Sequence, residues 1–290
     1  LRLRTPVIVP VIVASAVALA LHVAGCCPWV IHVEDTALLD PTPPAADPSP
    51  APPERRSLRP DLVVETLDNG LQVYMLEDHS APLVSFQVWF RVGSVNEREA
   101  GPGDDHGITG LSHFFEHMMF RGTDLHPKFF DEVYSLGGSL NAFTWLDETV
   151  YWEKAPSQHL ETLIGMEADR LAKMKIDFLN LEPEREVVKS ERLLRTENKA
   201  EGMAWEVLQA RAFEVFPYHW KTIGWMRDLN AITVQEAQDY HSVFYAPNNA
   251  YIIVAGDHDP AQTLEWIKQH SGHLPSKPLP SEDFPPEPPQ

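Results

Sequence analysis

Proline constrains most what this chain can fold into. Fifteen of its 26 prolines fall in two stretches, DPTPPAADPSPAPPERRSLRP at 40–60 and PSKPLPSEDFPPEPPQ at 275–290. Proline has no backbone N–H and a fixed φ, so such stretches build neither ladders nor helices and read as extended, semi-rigid tethers. Regular structure is thereby confined to about residues 62–274, a segment with enough apolar residues for a real core. No internal repeat is visible within it.

Ahead of the first tether, Arg2 and Arg4 precede an apolar run from Val7 to Gly25. These are the charged and hydrophobic regions of an export signal. The run ends Leu21-His22-Val23-Ala24-Gly25-Cys26, which resembles the lipobox of bacterial lipoproteins, with cleavage after residue 25 and a lipid on Cys26. An uncleaved membrane anchor is the alternative that the length of the run allows. Either reading puts the domain outside the cytoplasm, on the periplasmic face of a bacterial cell envelope. Cys27, rather than aspartate, follows Cys26, which favours the outer membrane by resemblance to lipoprotein sorting. No other cysteines occur, so no disulfide framework holds the globular segment. With 23 Lys+Arg against 42 Asp+Glu, the net charge of −19 argues against a nucleic-acid partner.

Within the globular segment, LVVETLDNGLQVYMLED alternates on both sides of Asn69-Gly70 and predicts a hairpin with a tight turn. PLVSFQVWFRVGS predicts another strand, and a helix follows from about Ile108 to Phe120. A short helix in HPKFFDEVYSLGG precedes two strands, SLNAFTW and ETVYWEKAP. From Ser157, a candidate cap, the pattern turns helical, and Pro183 suits the first turn of a helix beginning EPEREVV. NAYIIVAG predicts a last strand, and DPAQTLEWIKQH a last helix. Strands, then helices, then strand again indicate an α+β fold with a mostly antiparallel sheet and helices packed on it.

The chemistry concentrates in SHFFEH, residues 112–117. On a helix His113 and His117 are i and i+4, so both imidazoles leave one face and can bind one zinc ion. Glu116 stands on the same side, close enough to hold a water at that metal as its general base. Phe114, Phe115, Met118 and Met119 are the core-facing positions that hold the pair still. Zinc needs a third ligand, and Glu184 and Glu191 lie two turns apart on one face of a later helix. One can complete the sphere and the other can support it; periodicity does not say which. Asp104, Asp105 and His106 read as a solvated loop. Trp145, Trp152, Trp205, Trp220 and Trp225 read as core.

GITGLSHFFEHMMFRGT resembles the metal-binding motif of the pitrilysin/insulinase family of zinc peptidases. GGSLNAFTWLDETVYW is similar to that family's following strand pair, and EREVVKSERLLRTEN to its distal-glutamate helix. HWKTIGWMRDLNAIT and FYAPNNAYIIVAGD fit as well, so the resemblance spans about 62–274. It implies one zinc per chain on His113, His117 and Glu191, with Glu116 as base and Glu184 as supporting acid. It implies that a peptide substrate adds as an extra strand along Asn141, Ala142 and Phe143. Residues 1–25 are then a signal peptide, 26–61 a tether, 62–274 the N-terminal catalytic half of a clamshell-type metallopeptidase, and 275–290 a tail or the start of an interdomain linker. Members of the family close two such halves over the substrate, so a second peptidase-like half, in the same or a separate chain, is the expected partner. The activity implied is endopeptidase cleavage of small or unfolded peptides. The alternative is a zinc-containing subunit that captures peptides without cutting them; Glu116, which pure binding does not need, argues against it.

Overall fold

A computed structural model of the protein describes residues 61–281, 283–284 and 286–289. The proposed lipidation site Cys26, the export signal and the first tether lie outside the described residues.

Six strands form one sheet: β1 (Leu62–Thr66), β2 (Gln72–Glu77), β3 (Leu83–Phe90), β4 (Ser139–Thr144), β5 (Thr149–Pro156) and β6 (Ala250–Gly256). Their spatial order is β1-β2-β6-β3-β5-β4. The expected hairpin pairs Thr66 with Gln72 across its turn, where Gly70 takes φ +84°, a conformation open to glycine at no steric cost. All neighbours are antiparallel except β2 and β6, paired in parallel from Gln72↔Tyr251 to Glu77↔Gly256. β6 thus arrives from the far end of the domain and inserts between β2 and β3. The sheet is mixed, with antiparallel pairing dominant.

Strand alternation builds the core. Val84, Phe86, Val88 and Phe90 of β3, with Val73, Met75, Ile252 and Val254, all lie on one buried face. Onto that face pack helices α1 (Leu111–Met119), α3 (Leu160–Lys173) and α8 (Pro260–Ser271). The remaining helices are α2 (Phe129–Ser135), α4 (Phe178–Arg192), α5 (Ala200–Ala212), α6 (Met226–Ala231) and α7 (Val234–Phe244). Thr233 and Glu236 form a capping box at the start of α7, in the Thr-x-x-Glu spacing that marks a helix start in sequence.

Four local expectations are corrected. α1 starts at Leu111 rather than Ile108, because Gly110 is left-handed (φ +89°) and buried Asp228 holds the preceding loop through Gly107 N and Thr109 Oγ1. α4 starts at Phe178, five residues before Pro183, because Asp177 caps it through Asn180 N. Pro183 is therefore interior, and the carbonyl of Leu179 that it leaves unpaired belongs to a residue 80% exposed, within reach of water. Ser157 does not cap α3; it opens a 3-10 turn and donates its hydroxyl to Asp257 at 2.6 Å. Of the five tryptophans expected in the core, only Trp220 is buried, whereas Trp145 and Trp205 are more than half exposed.

No described helix is long and apolar enough to cross a membrane. The proline-rich C-terminal segment lies against the domain: Lys277 exchanges two hydrogen bonds with Asn248, and Glu287 accepts from the N–H groups of Glu214, Val215 and Phe216.

Candidate metal centre

Helices α1 and α4 cross above the β4 end of the sheet, and their facing side chains make the site. Phe114, Phe115, Met118 and Met119 of α1 are all buried at 1% exposure or less and hold the helix against the sheet. Buried Glu97 fixes its start, accepting from Gly110 N and Ser112 N, both at 2.7 Å. With that face locked, His113, Glu116 and His117 project the other way, towards α4.

His113 Nε2 lies 3.8 Å and His117 Nε2 3.2 Å from Glu191 Oε2. Donor atoms bound at 2.0–2.2 Å in a tetrahedron stand about 3.3–3.6 Å apart, so these three converge as zinc ligands do. Among the described residues they are the one such cluster. The two glutamates left open by helix periodicity now separate. Glu191 faces the Nε2 tips, while Glu184 lies behind His117, with Oε2 3.3 Å from Nδ1. A proton on Nδ1 directed at Glu184 leaves the Nε2 lone pair for a metal. Arg121 Nε holds the other Glu184 oxygen at 2.5 Å, and Arg195 Nη1 holds Glu191 Oε1 at 2.8 Å.

The electrostatics favour positive charge at this point. Burial pulls the pKa of His117 down, but its bonds to Glu184 and Glu191 outweigh burial and push it up to about 9. Burial, with help from His117, takes His113 down to about 4, which keeps that imidazole neutral and available as a ligand. The bond from His117 leads in holding Glu191 below the ordinary carboxylate range. Burial raises Glu116, against the bond that Thr144 Oγ1 donates to it at 2.7 Å. A carboxylate so raised is the stronger base.

Glu116 and the ligands open into a cleft of about 650 Å³. β4, the edge strand, forms one wall with Asn141, Ala142, Phe143 and Thr144, and Asn141 Oδ1 accepts from Ala142 N at 2.9 Å. All the residues singled out in the globular sequence for the site are thus gathered here. Thr144, Arg121, Arg195 and Lys221 also belong to the site or its rim, and nothing in their local sequence marks them. The loop with Asp104, Asp105 and His106 stands apart: Asp104 pairs with Arg98, and His106 with Glu236.

The profile of the insulinase family, peptidase family M16, matches residues 72–224. The chain belongs to this family. A second profile, the peptidase M16 inactive domain, matches residues 231–290. Zinc protease PqqE of Helicobacter pylori is 33% identical over 208 residues, covering 71% of this chain and 45% of its own length. The crystal structure of a protease from Helicobacter pylori superposes with a TM-score of 0.73 at 30% identity, covering 78% of this chain and 54% of that one. The first half of the periplasmic protease PqqL from Escherichia coli gives 0.67 at 27% identity, covering 78% and 49%. The M16 relatives include named zinc proteases, and the chain spans about half their length or less.

Proposed function

We propose that residues 62–274 form the catalytic half of a zinc-dependent endopeptidase that hydrolyses small or unfolded peptides at the cell envelope. The observation that carries this reading is the convergence of His113, His117 and Glu191 with Glu116 beside them, at the wall of a cleft lined by an edge strand. The donor set fits zinc: two imidazoles and one carboxylate, His113 already neutral and His117 giving up its proton in exchange for the metal. Zinc held by His113, His117 and Glu191 would supply Lewis acidity, towards a carbonyl oxygen and towards the water that attacks it.

The chain's own residues do the rest. Glu116 accepts the proton of the attacking water and hands it to the departing amine. Thr144, the last residue of β4, keeps the Glu116 carboxylate aimed through its hydroxyl, tying the base to the strand that seats the substrate. Glu184 orients His117, and Arg195 orients Glu191. The peptide extends along Asn141, Ala142 and Phe143 as an added strand, so that backbone hydrogen bonds supply affinity with little demand on sequence.

A second peptidase-like half, in the same or a separate chain, covers the cleft; the relative described as the first half of a periplasmic protease supports this pairing. That relative supports an envelope location, and the lipobox resemblance of residues 21–26 supports a lipid on Cys26. The test is cleavage of an unfolded peptide by the full chain, alone and mixed with a companion half. Chelator should stop it and zinc restore it. Cleavage indifferent to chelator would remove the reading.

A further inference from the structure

The lining of the cleft carries charge that the hydrolytic scheme does not use. Three cations stand at or near the site, and two are committed: Arg121 to Glu184 and Arg195 to Glu191. The third, Lys221, donates to Thr196 Oγ1 at 3.0 Å and, among the described residues, forms no ion pair with a carboxylate. Glu206, the acid whose charge it feels, is occupied by Arg192 at 2.8 and 3.1 Å. Burial lowers the pKa of Lys221, as befits an ammonium short of counter-charge.

The backbone on both sides of Lys221 is pinned. Buried Trp220 donates its indole N–H to Glu97 at 3.1 Å, and the carbonyl of Gly224 accepts from Arg192 at 2.5 Å. The ammonium is therefore presented from a fixed wall rather than from a free loop, with donors to spare after Thr196 has taken one. Phe120 and Phe130, stacked at 4.5 Å, form an apolar patch of the same cleft, and Phe130 is 37% exposed. In a chain of net charge −19, a half-buried lysine left open to the cleft is a specific device rather than part of a general basic surface.

We infer that Lys221 selects peptides that place a carboxylate in the cleft, from an Asp or Glu side chain or from the peptide's own C-terminus. The inference rests on the peptide-hydrolase reading and names the substrate class for that site. An ammonium recognises a carboxylate as a point charge with several donors, and an amide of the same shape satisfies the hydrogen bond but not the charge.

The test uses the full chain, loaded with zinc and carrying Glu116→Gln so that peptide is not consumed. Fluorescence anisotropy then compares labelled peptides differing only by Glu or Gln at each position, and by a free or amidated C-terminus. The two arms separate side chain from terminus as the source. The carboxylate peptide should bind about 3- to 10-fold more tightly, a preference that shrinks as salt is raised. Lys221→Met should remove the ratio, Lys221→Arg keep it, and Lys221→Glu invert it in favour of a Lys-containing peptide. Equal affinities in every pair, no measurable binding of any peptide, or a ratio that survives Lys221→Met would overturn the inference. A chain that shows the preference yet never cleaves would leave this inference standing and remove the hydrolase reading instead.

Discussion

Replacing Glu184 by alanine isolates the part of the site that touches no metal. Its Oε2 lies 3.3 Å from His117 Nδ1, at the long end of a hydrogen bond, and its Oε1 accepts from Arg121. Carboxylates behind a metal-bound histidine are worth about 10- to 100-fold in metal affinity, and the long contact places Glu184 near the lower bound. We expect zinc affinity to fall about tenfold, or roughly 1.4 kcal/mol. Arg121 is partly exposed and keeps its hydration, so losing its partner adds little. Competition with a chelator of known affinity measures the change. Two comparators bracket it: Glu191→Ala removes a ligand and should cost far more, while Glu182→Ala removes an acid paired with Arg185 on another face and should cost nothing. Zinc bound as tightly by Glu184→Ala as by the parent would refute the assignment, and so would a loss as complete as that of Glu191→Ala.

Three further outcomes follow from the same contacts. Thr144→Val frees the Glu116 carboxylate and should slow peptide cleavage by a factor on the order of 10, read from initial rates, while zinc content stays unchanged. Phe86→Ala empties a fully buried position under the helices and should cost about 3–5 kcal/mol in denaturant unfolding. Burial works against the charge of Asp169, but Lys173 and Thr123 outweigh it and hold its pKa below the ordinary 3.8. A depressed carboxylate stabilises above its unfolded pKa and loses that contribution as pH falls through the folded value. Asp169→Asn should therefore be less stable than the parent at pH 7, with the gap narrowing as pH falls below 3.8; urea unfolding at pH 7 and pH 3 checks it, and a gap independent of pH contradicts it.

What the sequence made legible follows the range of the interactions. The pair His113 and His117 and the base Glu116 lie within five residues, so helix geometry alone brings them together. The hairpin at Asn69-Gly70 and the strands β3 to β5 were equally local. Glu184 and Glu191 were visible as one helical face, yet their roles depend on how α4 crosses α1, which no local pattern encodes. Thr144, Arg121, Arg195 and Lys221 act through contacts with residues distant in the chain, and each looks ordinary in its own segment. The helix starts failed for a related reason: Asp228, more than a hundred residues away, holds the loop before α1, and Asp177 caps α4 ahead of a proline that looked like its beginning. The parallel pairing of β6 with β2 likewise depends on where a late strand inserts, not on its composition.

The central claim is that His113, His117 and Glu191 hold one zinc while Glu116 moves the proton. The most direct measurement compares zinc content and peptide cleavage for the full chain, together with its companion half, and for the same assembly carrying Glu116→Gln. One zinc per chain is expected in both, with a loss of cleavage of about 10²- to 10⁴-fold in the variant. Cleavage at the parental rate by the zinc-loaded variant would contradict it.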